Sequence, residues 1–195
     1  MPTVSTAALR TSHKSSGNLA RFRKALRSDP SGSSCYIALL GLPVDAPPTI
    51  NNVPHPSFLR VSDRVALRKA QSRSSAIVAL VQYGVPFGLL EGFQRTVGLS
   101  VEQIAALVQI PTRTLTRRRE SGHLRPDESD RLFRAARVFG RVLALYDGKL
   151  DEAREWLASP QRGLGGAVPL TLAATDHGAQ TISDIIGRME YGLGA

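Results

Sequence analysis

The residues of this sequence whose types and spacing could do chemistry are threonines and arginines in Thr112-Arg-Thr-Leu-Thr-Arg-Arg-Arg119. Hydroxyl and guanidinium groups suit contacts with phosphate oxygens and base edges, and one Arg can donate two hydrogen bonds to a guanine. In a helix, Leu115 faces inward and most of the polar side chains face outward. The sequence therefore predicts a DNA-binding surface formed by Thr112, Arg113, Thr114, Thr116, Arg117 and Arg118. The alternative is a solvated helix face on which Arg113 or Arg117 pairs with Glu120.

Constellations typical of enzymes and metal sites are missing from the sequence. The four His stand at 13, 55, 123 and 177, with no HExxH motif, no paired-His spacing and no GxSxG elbow. Asp176-His177 is an acid and a His side by side, and we interpret Asp176 as a helix cap. The single Cys35 excludes an intramolecular disulfide and a multi-cysteine zinc site. We expect no catalysis, no cofactor and no metal.

Two short helices must position the arginine-rich segment. An apolar stripe over 87–97 predicts a helix that Gly98 ends. Ser100 and Gln103 then form the Ser-x-x-Gln pattern of a capping box and open a second helix. A turn over 109–112 leads into the helix that carries the arginines. This order predicts a helix-turn-helix, with Ile110 and Leu115 holding the turn and the second helix on the core.

Gln109 lies in that turn, where many such motifs have glycine. If the backbone there is left-handed, Gln costs roughly 1 kcal/mol relative to Gly.

The second half of the chain predicts a further group of helices. A helix from Pro126 to about Tyr146 begins with acidic residues and carries one apolar stripe. A short helix over 150–157, a glycine-rich connection over 163–169 and a last helix over 178–191 follow. Period-two alternation is absent, so the fold class is all-α, with a helix-turn-helix bundle over 74–125 and a small helical domain over 126–195. The apolar stripes over 87–97 and 132–146 offer more apolar surface than one small bundle can bury. We therefore expect at least a dimer.

Residues 1–73 differ from the rest in charge and composition. Residues 1–75 hold 11 Lys or Arg and three acidic residues, whereas the whole chain of 195 residues has a net charge of +9. Ser- and Pro-rich stretches offer turns without a lasting period. We expect a basic arm that is mostly extended or disordered. It could wrap on DNA phosphates, be a solvated leader or an upstream start, or be an organellar transit peptide.

Several longer patterns resemble the Xre/MbcA/ParS antitoxin family. They are the 113–119 segment, Leu124-Arg-Pro-Asp-Glu-Ser-Asp-Arg-Leu132, Ala153-Arg-Glu-Trp-Leu157, Pro160, Leu164-Gly-Gly166, Pro169-Leu170 and Gly187-Arg-Met-Glu-Tyr-Gly192. The resemblance covers residues 74–195. It implies a helix-turn-helix part, a C-terminal toxin-binding domain over 126–195, and a partner that is a RES-type toxin acting on NAD. The chain would neutralise that toxin and repress its own operon. The Tyr146-Asp147-Gly148 run departs from the Phe-Gly-Asp-like run of many members.

On this interpretation, the end of the last helix and the 160–170 loop enter or cover the toxin's NAD cleft. The expected toxin-binding residues combine apolar anchors with charges: Arg188, Met189, Glu190, Tyr191, Leu193, Leu164 and Pro169. Ile185, Ile186 and Met189 could instead only finish the core, which would leave Arg188, Glu190 and Tyr191 exposed.

The expected partners are the toxin, operator DNA and a second copy of the chain, in the cytoplasm. The sequence has no run of about 18 uncharged apolar residues, which is the length that a membrane span requires. The alternative function is a helix-turn-helix transcription regulator without a toxin partner.

Overall fold

The described part of the chain is helical throughout. The structure is a computed structural model that describes residues 15–29, 35–42, 44 and 73–192. Within these ranges the only β pairing is one isolated bridge, between Pro86 and His123, so the all-α prediction is confirmed there. The α-helices are α1 (Ser15–Leu26), α2 (Tyr36–Leu39), α3 (Arg73–Tyr83), α4 (Phe87–Val97), α5 (Val101–Leu107), α6 (Thr112–Ser121), α7 (Pro126–Leu145), α8 (Leu150–Ala158), α9 (Pro169–Leu172) and α10 (Asp176–Glu190), with a 3-10 turn at Arg162–Leu164.

Helix α7 is the centre of the fold. It packs against α2, α3, α4, α8 and α10, and residues all along it are buried, including Leu132, Ala136, Phe139 and Leu143. The ring of Phe139 meets that of Phe93 on α4 edge to face, with centroids 5.5 Å apart and planes at 90°, which is a favourable aromatic geometry. The helices before and after α7 therefore share one hydrophobic core.

Helices α1 and α2 lie inside the segment that the sequence analysis interpreted as an irregular arm. Phe22 of α1 is fully buried, and Ile37 and Leu39 of α2 are nearly so. The amide of Asn18 donates to the Leu39 carbonyl at 3.4 Å and to the Thr96 hydroxyl at 3.3 Å. Within the predicted arm, α1 and α2 are thus helical and contribute to the core. The residues of 1–73 other than 15–29, 35–42, 44 and 73 lie outside the described residues.

Sequence reasoning missed α1 because its large apolar residues, Leu19, Phe22 and Leu26, stand among basic and polar residues, and it missed α2 because that helix is short. Helix α2 has four residues, too few to distinguish a helix from a strand. Its position depends on a distant partner, since α2 crosses α7 at Gly140. A Cβ built on Gly140 would lie 2.6 Å from Cβ of Tyr36, so only glycine allows this approach. The role of Gly140 in the approach of α2 to α7 is therefore visible only in the folded chain.

The helix-turn-helix elements have the predicted bounds and caps. Helix α4 ends at Gly98, which is left-handed with φ 67°. The Ser100 hydroxyl accepts from the Gln103 backbone N–H at 3.2 Å, and the Gln103 side chain accepts from the Ser100 N–H at 2.9 Å. The predicted capping box is therefore confirmed. Ile110 and Leu115 are buried, as expected for residues that hold the turn and α6 on the core.

The apolar stripes that led us to expect a dimer are covered within one chain. Phe87, Leu90, Phe93 and Val97 of α4 are buried, and so is the stripe of α7. Part of the cover comes from α1, which packs on α4, and from α2, which packs on α4 and α7. These stripes therefore leave no surplus apolar surface that would indicate a dimer, and the expectation based on such a surplus is wrong.

The turn before α6 has the left-handed residue that the sequence analysis anticipated. Gln109 has φ 51°. The Ile110 N–H donates to the Ala105 carbonyl at 2.9 Å, and the Gln109 N–H donates to the Ala106 carbonyl at 3.2 Å. These two bonds form a Schellman motif, which usually has glycine at the left-handed position.

We predict that Gln109→Gly raises the free energy of unfolding by roughly 1 kcal/mol, because glycine relieves the left-handed strain. Urea denaturation followed by circular dichroism measures the change. The matched control is Gln109→Ala, which removes the side chain and keeps the strain, and should give no gain. Equal stability of the glycine and alanine variants would contradict the strain at this position.

Candidate functional site

Helix α6 presents four of the six predicted DNA-binding residues to solvent. Thr112, Arg113, Thr116 and Arg117 are exposed, whereas Thr114 is half-buried. The Thr116 hydroxyl donates to the Thr112 carbonyl at 3.3 Å, a local bond that leaves its oxygen able to accept another. Arg113 and Arg117 form no ion pair with any described carboxylate, so the alternative of a pair with Glu120 is not what the structure has. Two unneutralised guanidinium groups therefore lie on the outer face of α6.

Arg118 corrects the prediction, because its side chain does not face outward. Its Nε atom lies 2.7 Å and 3.0 Å from the two carboxylate oxygens of Glu128. The side chains are only 13% and 6% exposed, respectively. The same carboxylate also accepts from the Arg125 N–H at 2.8 Å. Arg118 thus fixes α6 to the first turn of α7 and is not available to a ligand.

Two further arginines, which the sequence analysis did not single out, hold the helix-turn-helix in place. Arg119 pairs with Glu91 of α4 at 3.0 Å, and its guanidinium lies 5.6 Å from the centre of the Phe87 ring, within cation–π range. Arg131 donates to the Gln109 carbonyl at 3.2 Å. The consecutive arginines 117–119 give no signal in the sequence that marks Arg119 as the one that pairs with α4.

A short backbone pairing closes the end of α6. The Leu124 N–H donates to the Val85 carbonyl at 2.8 Å, and the Phe87 N–H donates to the Gly122 carbonyl at 2.9 Å. A Cβ on Gly84 would lie 2.2 Å from the Leu124 carbonyl oxygen, so the pairing requires glycine there. The segment after α6 is thereby attached to the start of α4, which limits how far α6 can move.

The start of α5 carries a carboxylate beside the helix-turn-helix. A hydrogen bond from its own backbone N–H, and a second from the Ser100 hydroxyl at 2.8 Å, lower the pKa of Glu102 below its ordinary value. Glu102 is therefore charged at the amino end of α5, where the helix dipole favours an anion.

The end of α10 has the exposure expected of a binding surface. Ile185 and Ile186 are buried and Met189 is half-buried, whereas Arg188, Glu190 and Tyr191 are exposed. Tyr191 is 81% exposed, the largest value among the exposed large apolar side chains of the described residues. The division into core and exposed residues is as expected. Leu193 lies outside the described residues.

The other predicted toxin-binding residues are less available. Pro169 is buried at the start of α9. This burial corrects the expectation that Pro169 contacts a toxin. Leu164 is half-buried and packs on the core. Glu190 pairs with Arg141 of α7 at 3.4 Å, which ties the last turn of α10 to the central helix.

The start of α10 is capped by a residue other than the expected one. The Thr175 hydroxyl accepts from the Gly178 N–H at 3.0 Å, whereas Asp176 is the first helical residue and pairs with Arg134 at 3.7 Å. Within the described ranges, no group of three or more His, Cys, Asp or Glu side chains could hold a metal ion. No helix of the same ranges has the length and apolar character that a membrane crossing requires.

Two family models match this chain in succession. Residues 76–137 match the antitoxin Xre-like helix-turn-helix domain, and residues 134–192 match the antitoxin Xre/MbcA/ParS C-terminal toxin-binding domain. A relative from Yersinia enterocolitica, named antitoxin Xre, is 32% identical over 123 residues, which are 63% of this chain and 83% of the relative. The chain belongs to the Xre antitoxin family. An antitoxin Xre from Photorhabdus laumondii is 31% identical over 59% of this chain and 78% of its own length.

Family membership confirms the resemblance found in the motifs. The two family models overlap at residues 134–137, which lie inside α7. The helix-turn-helix and toxin-binding parts of this chain therefore meet within one helix rather than at a linker.

We predict that Arg118→Ala lowers the free energy of unfolding by about 3 kcal/mol, because it leaves a buried carboxylate without its charge partner. Chemical denaturation measures the loss. Adding Glu128→Gln removes the buried charge, keeps an acceptor for the Arg125 N–H and should recover part of the loss. The exposed neighbour is the matched control, since Arg117→Ala should change stability by no more than about 0.5 kcal/mol. Equal effects of the two alanine variants would contradict the structural role of Arg118.

Proposed function

We propose that this chain neutralises a RES-type toxin, an enzyme that consumes NAD, through the exposed end of α10. The observation that carries the proposal is the match of residues 134–192 to a toxin-binding domain, because the last residues of that match include the exposed Tyr191. Aromatic and Arg side chains contribute most to the affinity of protein interfaces. Arg188 and Tyr191, three positions apart, lie on the same side of the helix end.

The proposed mechanism is exclusion of NAD from the toxin's cleft. The core anchors α10 through Ile185 and Ile186, and the Arg141–Glu190 ion pair holds its last turn. A preorganised helix end loses little conformational entropy when it binds, which favours affinity. Gly165 and Gly166, which follow the 3-10 turn, are exposed. They offer a backbone surface to the toxin close to α10. In this proposal the buried Pro169 supports the loop from within.

We propose further that the chain represses its own operon through α6. The outward Arg113 and Arg117, with Thr112 and Thr116, would contact phosphates and base edges of operator DNA. A dimer stays part of this proposal only because helix-turn-helix proteins read symmetric half-sites in pairs. Chromosomal DNA and an NAD-consuming toxin are both found in the cytoplasm, so we place the protein there.

We predict that Arg188→Ala combined with Tyr191→Ala abolishes protection from the product of the neighbouring gene. Removing two interface anchors should weaken toxin binding by at least 30-fold, which corresponds to about 2 kcal/mol. Co-expression growth assays and cellular NAD levels measure the protection, and titration calorimetry measures the binding. Both side chains are exposed, so the variant keeps its core, whereas deletion of 188–195 would also remove the half-buried Met189.

The matched control for the toxin assay is His177→Ala, an exposed substitution at the other end of α10. It should protect as the parent does. Full protection by the double variant would refute the role of the α10 end. Failure of the parent chain to bind the neighbouring gene product, together with binding to upstream DNA, would favour a transcription regulator without a toxin partner.

We predict that Arg113→Ala combined with Arg117→Ala weakens binding to the DNA upstream of the chain's own gene. The slope of log K against log salt should fall by about 0.9 for each phosphate that the protein no longer neutralises, hence by about 1.8 if both arginines bind phosphates. Fluorescence anisotropy over a salt series measures the slope. Arg162→Ala, an exposed arginine of the toxin-binding part, is the control. An unchanged slope in the double variant would show that Arg113 and Arg117 do not contact DNA phosphates.

A further inference from the structure

Helix α1 carries a second basic face, far along the chain from α6 and outside both family models. Arg21 and Lys24 of α1 are exposed, and so is Arg27 in the turn directly after the helix. At 100° per residue, Arg21 and Lys24 lie about 60° apart on the helix circumference. Phe22, Leu19 and Leu26 occupy the opposite arc, which packs on the core. Arg21 and Lys24 therefore share the solvent face of α1, and Arg27 follows directly after the end of the helix.

The charges on this face are not neutralised by the described part of the protein. Helix α1 contains no acidic residue, and the ion pairs identified among the described residues include none of the three cations. The acidic residue next along the chain is Asp29, two residues after Arg27, and it has an interaction of its own. Asp147 lines an open groove of about 340 Å³ together with Arg23 and Arg27, yet pairs with neither. Such a face attracts anions.

Anchoring contacts hold this face in a defined place. The Arg23 Nε–H donates to the Gly148 carbonyl at 3.0 Å, just beyond the last turn of α7. Asn18 bonds to α2 and to Thr96 of α4. Helix α6 is instead attached to the first turn of α7 through Arg118 and Glu128. Since α7 has 20 residues and a helix rises 1.5 Å per residue, the two basic helices are attached about 30 Å apart.

The chemistry of the face favours a nucleic-acid backbone over a protein partner. The exposed large apolar side chains of the described residues are Val78, Tyr83, Val101 and Tyr191, and none lies on α1. Protein interfaces need apolar or aromatic anchors at their centre, where Lys is depleted. Beside the cations lie Gly17 and Ala20, both exposed, whose small size allows close approach.

We propose that α1 binds the phosphate backbone of duplex DNA as a second contact, separate from α6. Arg21 and Lys24 lie about 4.5 Å apart along the axis of α1, with Arg27 just beyond its end, and duplex DNA offers one phosphate for about every 1.7 Å. Contacts of this kind carry no sequence information and fix the protein's register on the duplex. The inference rests on the proposed DNA binding and adds to it the surface that strengthens and orients the complex.

The test uses the full chain and a labelled 40-base-pair duplex of arbitrary sequence, because phosphate contacts do not depend on sequence. The variant combines Arg21→Gln, Lys24→Gln and Arg27→Gln, which removes charge from exposed positions and leaves Phe22 in place. The salt slope should fall by about 2.7, or 0.9 for each phosphate that the three cations neutralise. Between 50 and 200 mM salt, the affinity of the variant should then change about 40-fold less than that of the parent.

The charge-matched control combines Arg137→Gln, Lys149→Gln and Arg162→Gln, which are exposed positions outside α1 and α6, and it should leave the parent slope within about 0.5. A slope in the α1 variant equal to that of this control overturns the inference. So does a loss of toxin capture by the α1 variant with unchanged DNA binding, which would assign the face to the toxin. If the parent chain binds DNA and only the α6 variant weakens it, the inference fails while the proposed function stands.

Discussion

The burial of helix α7 is the constraint on which the rest of the structure depends. A helix that is apolar on most of its circumference must be covered on most sides, and here α2, α3, α4, α8 and α10 provide the cover. Each end of α7 also holds a neighbouring element by a polar contact. At its start, Glu128 binds Arg118 of α6, and beyond its end the Gly148 carbonyl binds Arg23 of α1. The positions of both basic helices and of α10 therefore follow from one helix.

Features set by near neighbours in the chain were predictable. Ser100 with Gln103 predicted a cap and Gly98 predicted a stop, because each depends on backbone geometry within a few residues. The bounds of the main helices followed from the same signals. The split of α10 into buried Ile185 and exposed Tyr191 was also predicted, because helical period alone assigns residues to faces.

Features that depend on crossings between distant segments were not predictable. Arg118 resembles its exposed neighbours in sequence, and only the approach of the first turn of α7 turns it into one half of a buried ion pair. The same applies to α2, whose place follows from a glycine more than 100 residues away. Thr175, not Asp176, caps α10 although both are good capping residues, because the turn after α9 brings the Thr hydroxyl to the Gly178 N–H.

The overlap of the two family models inside α7 has a consequence for how the protein is removed. Proteases cut flexible, exposed segments, and the junction between the two halves is a buried helix instead of a linker. Cleavage at this junction has to wait for α7 to open, and opening α7 exposes the common core of both halves. Cleavage at the junction is thereby linked to opening of the shared core, so that the helix-turn-helix part and the toxin-binding part lose their protection together.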